Sequence, residues 1–123
     1  MWYIFIGLTI GIIIGLNTPV EIPMEFARYT AVGILGILDS LLGAVRADLQ
    51  KKYNTTIFLS GLVFNMTLAM LITYLGDKLS LDLYLAVLIV FTFRIFANLA
   101  TIRYAFLEKS IGKKRVQEEI KKE

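Results

Sequence analysis

Histidine and cysteine are both absent from this 123-residue chain. That removes cysteine- and histidine-based metal sites, Ser-His and Cys-His nucleophile pairs, thiol redox chemistry and any disulfide framework. Charged residues make up only 19% of the sequence, and many of them sit in the last fifteen positions. Proline occurs twice, at Pro19 and Pro23, and both fall in one short segment. What remains is strongly apolar. The hydrophobic set reaches 57% and the mean hydropathy is +0.69, which does not suit a soluble bundle. The net charge of +3 does not imply nucleic-acid binding, because the basic residues form short flanks and a tail around apolar runs. The length allows one compact domain.

The uncharged runs define the architecture. Residues 2–20 and 53–76 carry no charge at all. Residues 29–50 carry Asp39 near the middle and Arg46 and Asp48 near the end, and residues 83–102 carry Arg94. A membrane-spanning helix needs roughly 17–25 largely apolar residues. The sequence therefore predicts an all-α polytopic membrane protein with four transmembrane helices, at about 2–17, 28–50, 55–76 and 81–103. Asn17, Thr18 and the two prolines end the first helix. Asn54 is placed to cap the third, Gly76 to close it, and Ser80 with Asp82 to start the fourth. A membrane domain over 1–107 is followed by a basic tail over 108–123. In that tail Lys114, Glu118 and Lys122 pair at helical spacing, with Lys113, Lys114 and Arg115 near anionic headgroups. No internal repeat is evident.

Lysine and arginine counts set the expected orientation. Arg28 and Lys78 mark one side. Arg46, Lys51, Lys52 and seven residues from Arg103 onward mark the other. Positive charge stays in the cytoplasm, so both termini are expected there. The first span lacks the basic start and cleavage site of a signal peptide. The Asn54-Thr55-Thr56 sequon lies on the expected cytoplasmic side and carries little weight.

Two sets of residues are candidates for function. Gly7, Gly11 and Gly15 form one row on the first helix, a face that admits a close helix neighbour. Gly36, Ser40, Gly43 and Ala47 form a similar row on the second, and the two rows could seat together. The second set is polar: Asp39, Asn65 and Arg94 fall at similar depth near the bilayer centre. A charge there costs about 2.5–3.5 kcal/mol on insertion scales, so Asp39 and Arg94 are expected to turn inward as a pair. Asn65 would fill a remaining hydrogen bond, and Asn98 would meet Arg46 or Ser40. Such a cluster can fix helix register, line an ion or proton pathway, or contact another membrane protein. A single carboxylate cannot form an aspartyl-protease dyad, and no lysine lies in a span to activate a serine. No catalytic residue, metal site or cofactor is expected.

The start MWYIFIGLTIGIIIGL, the block LDSLLGAVRADLQ, the stretch FLSGLVFNM and the segments DLYLAV and FRIFANLATIR resemble the bacterial small basic protein family over roughly residues 1–107. The LDS-x-x-G-x-VRA pattern is the most specific part. The resemblance implies an integral protein of the bacterial cytoplasmic membrane. Members of that family are encoded among cell-division and envelope genes, beside single-span proteins with coiled-coil exteriors. It brings no active-site residues. The expected function is a non-enzymatic scaffold whose partners are the lipid bilayer and either other membrane proteins or further copies of itself. The alternative is a small oligomeric transporter or ion-pathway subunit using Asp39 and Arg94. Against a dual-topology transporter stand the arginine in the same core and the one-sided basic bias.

Overall fold

A computed structural model describes residues 2–123 and contains four helices in chain order: α1 (Trp2–Asn17), α2 (Met24–Leu49), α3 (Thr55–Leu79) and α4 (Leu83–Lys122). The protein is all-α. Three helices, α2, α3 and α4, are long and apolar enough to cross a membrane. With 16 residues, α1 extends only about 24 Å, short of a hydrocarbon core of roughly 30 Å.

Local chemistry explains most of the boundaries. The Asn54 side chain accepts hydrogen bonds from the backbone N–H groups of Thr56 (2.9 Å) and Ile57 (3.2 Å), capping α3. Pro23 directly precedes α2, so that helix begins four residues earlier than the predicted span and takes in Glu25. At the other end α3 continues past Gly76 to Leu79, and Ser80 closes it in the left-handed conformation (φ 53°). Asp82 precedes α4 but makes no capping hydrogen bond; its carboxylate turns to Arg28 instead. No helix breaker separates residue 103 from the tail, so α4 runs unbroken to Lys122, about 60 Å in all. From Phe106 onward its residues are exposed. On a straight helix, Lys113, Lys114 and Arg115 stand about 15–18 Å beyond Arg103.

The packed core belongs to α2, α3 and α4, with α2 and α4 in the most extensive contact. Val32, Ala69, Val87 and Phe91 are its centre, with Leu35, Met70, Ile72, Tyr84 and Leu88 around them. Gly36 lets the chains close up, since a Cβ there would collide with the Met66 sulfur and lie 3.3 Å from the Phe91 ring. Small residues at a helix interface allow this approach, which yields dispersion contacts where lipid tails offer no hydrophobic gain.

The expected seating of α1 against α2 does not occur within the chain. No residue of α1 is buried, and Gly7, Gly11 and Gly15 have no atom within 4 Å of the place a Cβ would take. Part of the small-residue row of α2 faces α3 and α4 instead: Gly36 meets Met66 and Phe91, and a Cβ added at Gly43 would lie 3.7 Å from the Asn98 amide nitrogen. Bulky apolar side chains on those helices bury more contact than a bare glycine row can, which is the physical reason they win the site.

Candidate functional site: a buried charge pair between α2 and α4

On α2 the residues Val32, Gly36, Asp39 and Gly43 recur at helical spacing and form the face that meets α4. That spacing carries the Asp39 carboxylate into the core, where the residue is 0% exposed. On α4 the corresponding face runs Val87, Phe91, Asn98 and Ile102, with Arg94 at its edge. Arg94 Nη2 stands 3.1 Å from Asp39 Oδ2, and the arginine side chain is 49% exposed. The two meet as charges, but no N–H points along the contact, and Oδ2 is buried without accepting a hydrogen bond. Asn98 Nδ2 donates to Asp39 Oδ1 at 3.5 Å, and Arg46 Nη1 donates to Asn98 Oδ1 at 3.3 Å. Four polar residues thus run as one chain from Arg94 through Asp39 and Asn98 to Arg46.

Asn65 behaves differently from the expectation. It is half-buried and lines the same cleft as Asp39 and Arg94, yet it supplies no hydrogen bond to either. The cleft, about 240 Å³, lies between α2 and α3. Its walls include Ser40, Gly43, Ala47 and Gly61, and Lys52, Tyr53 and Asn54 stand at the turn that joins the two helices. Of the small-residue row of α2, Ser40, Gly43 and Ala47 line this cleft, whereas Gly7, Gly11 and Gly15 of α1 take no part. A second, apolar cleft of about 210 Å³ lies on the far side of Arg94, between α3 and α4.

The opposite end of the bundle holds a polar cluster that pattern reading of the sequence missed. Arg28 Nη1 lies 3.2 Å from Asp77 and 3.6 Å from Asp82, and its guanidinium stacks 4.7 Å from the Tyr84 ring centroid. Tyr29 donates its hydroxyl to Asp77 at 2.8 Å. These contacts tie the start of α2 to the end of α3 and the start of α4. Being partly exposed, each pair contributes at most about 1 kcal/mol. Only the presence of Arg28, Asp77 and Asp82 at the same end of neighbouring helices signalled them. Among the described residues, no three acidic side chains converge in a way that could hold a metal ion.

Comparison with known proteins places this geometry in a family. A "Small basic protein" of Bacillus subtilis (strain 168) is 44% identical over 109 residues, covering 89% of this chain and 90% of the relative. An uncharacterised protein of Mycobacterium bovis and one of Mycobacterium tuberculosis are each 34% identical over 99 residues, covering 79% of this chain and 82% of the relative. No solved structure is significantly similar. Residues 22–107 match the family described as "Protein of unknown function (DUF1290)", a range that contains the whole α2–α4 core and the Arg94–Asp39–Asn98–Arg46 chain. The chain belongs to that family.

Proposed function

We propose that this protein is a non-enzymatic scaffold in the bacterial cytoplasmic membrane, a structural component of a division- or envelope-associated assembly. In this reading all four helices cross the bilayer, the short α1 doing so with local thinning of the bilayer and with the uncharged residues 18–20 beyond it, and both termini and the 108–123 tail lie in the cytoplasm. The observation that carries it is the division of labour in the fold. The α2–α4 core closes on itself and ties up its buried charge internally, while α1 and the last turns of α4 project from it with every residue but Ile4 and Ala105 exposed. One projection is apolar and carries a bare glycine row; the other is charged. An intramembrane glycine face and a projecting charged helix are surfaces for other proteins. The division and envelope setting rests on the resemblance to the small basic protein family.

The cleft that reaches Asp39 and Arg94 from the Lys52 turn favours a second reading, a small ion- or proton-pathway subunit. Gly11→Leu tests the scaffold. Nothing in the chain neighbours Gly11, so the variant should keep its melting midpoint in mild detergent and its membrane abundance. It should fail to restore growth or division to cells lacking the protein. Full complementation by this variant would remove α1 from the argument.

A further inference from the structure

We propose that the cleft between α2 and α3 is an aqueous vestibule, open at the Lys52 turn and ending at the Asp39–Arg94 pair. The proposal rests on the membrane-spanning reading above. In lipid, irregular polar surface is tolerated only where it is buried in protein or lines water, and ionisable side chains face one of those two environments. Asp39 meets the first condition and Arg94 does not, because half of its side chain is exposed. The cleft supplies the second environment. Its roughly 240 Å³ holds several water molecules.

Its walls are mixed: Ala44, Ile57, Phe58 and Leu62 are apolar, and polar groups stand at its two ends and at Ser40. A buried water needs two to four polar partners. At the deep end stand the Arg94 guanidinium and the Asn65 amide, with the wholly buried Asp39 behind them. Ser40 lies along the wall, and Lys52, Tyr53 and Asn54 frame the mouth. Gly43, Ala47 and Gly61 keep the passage wide, because none of them carries a side chain long enough to fill it. Water in the cleft would solvate the exposed half of the Arg94 side chain, while Asp39 stays wholly buried behind it. It would also account for Asn65, whose amide is directed to no protein partner.

The vestibule stops at the pair. Beyond Arg94 the second cleft is lined by Leu68, Ala69, Ile72, Val87 and Phe91, with Asn65 and Arg94 its only polar contributors. Apolar cavities of this kind stay dry. The geometry therefore describes access from one side, with an apolar barrier on the other, and it explains how a charge pair persists at this depth without a continuous pathway.

The chain has no cysteine, so single substitutions read the water boundary directly. Ser40→Cys is close to isosteric, and Gly61 has no atom within 4 Å of a Cβ, so both sites accept the thiol. Ser40 lies about 14 Å along α2 from its Leu49 end, well below any interfacial zone. Lys52→Cys and Glu21→Cys mark the two faces, and Leu68→Cys sits in the apolar cleft, about 16 Å along α3 from its Leu79 end. Oriented vesicles of each fold-verified variant are treated with a membrane-impermeant, charged thiosulfonate. Ser40→Cys and Gly61→Cys should react from the same face as Lys52→Cys, at least tenfold faster than Leu68→Cys, which should react from neither. Unreactive thiols at 40 and 61 beside a reactive one at 52, or reaction only from the Glu21 face, would overturn the vestibule. The four-span topology is judged separately: it fails if the thiols at 52 and 21 label from one face, or if 52 labels from outside intact cells.

Discussion

Arg94→Gln should destabilise the protein more than Asp39→Asn, although the two substitutions break the same contact. Removing Arg94 leaves the Asp39 carboxylate wholly buried, with a single 3.5 Å hydrogen bond from Asn98 as its direct support. Stranding a buried charge in this way costs about 3–5 kcal/mol. Asp39→Asn leaves a neutral amide in the core and a guanidinium whose side chain is already half-exposed toward the cleft. Its cost should be nearer that of a buried hydrogen-bonding group that loses a partner, about 1–3 kcal/mol. Membrane abundance and the melting midpoint in mild detergent both measure the difference. Equal losses, or a larger loss for Asp39→Asn, would mean that Arg94 does not support the buried carboxylate.

A second large effect is expected from one methyl group. In the turn between α3 and α4 the backbone folds tightly over Gly76, and an added Cβ would lie 2.7 Å from the Leu81 carbonyl oxygen and 2.8 Å from the Leu83 Cβ. Neither can move aside as a flexible side-chain tip would. Gly76→Ala must open the chain reversal, which also separates Asp77 and Asp82 from Arg28. Overpacking of this type costs about 1–3 kcal/mol. Gly36→Ala is the informative contrast, because the Met66 thioether in its way has three rotatable bonds, leaving mainly the Phe91 ring to adjust. The melting midpoint should fall most for Gly76→Ala. An unchanged midpoint there would show that the turn is looser than described.

Much of this was legible because charge in an apolar run demands an explanation. Asp39 is the one charge in the middle of its apolar stretch and Arg94 the one charge in its own, and the cost of leaving either in lipid is enough to pair them from the sequence. Helix ends were harder to read. Hydropathy marks where a bilayer would end, and a helix continues until its backbone chemistry stops it. That is why α2 starts at Met24, α3 runs to Leu79 and α4 reaches Lys122. The glycine row of α1 could not be resolved from sequence, since small residues permit a close approach without compelling one. Asn65 misled for a related reason: an amide at the right depth need not meet a protein partner when a polar cleft lies beside it. The Arg28 cluster depends on three helix ends converging in space, which no local pattern encodes.

The central claim is that the Asp39–Arg94 pair holds helices together and carries nothing across the membrane. The most direct measurement is complementation by the double variant Asp39→Asn with Arg94→Gln in cells lacking the native protein, scored with membrane abundance. A structural pair can be replaced by two neutral hydrogen-bonding amides, so abundance should recover relative to Arg94→Gln alone, and growth and division should recover with it. A carrier of protons or cations needs the ionisable carboxylate itself. A double variant that reaches normal abundance in the membrane and restores no growth or division would contradict the scaffold and establish the pathway reading in its place.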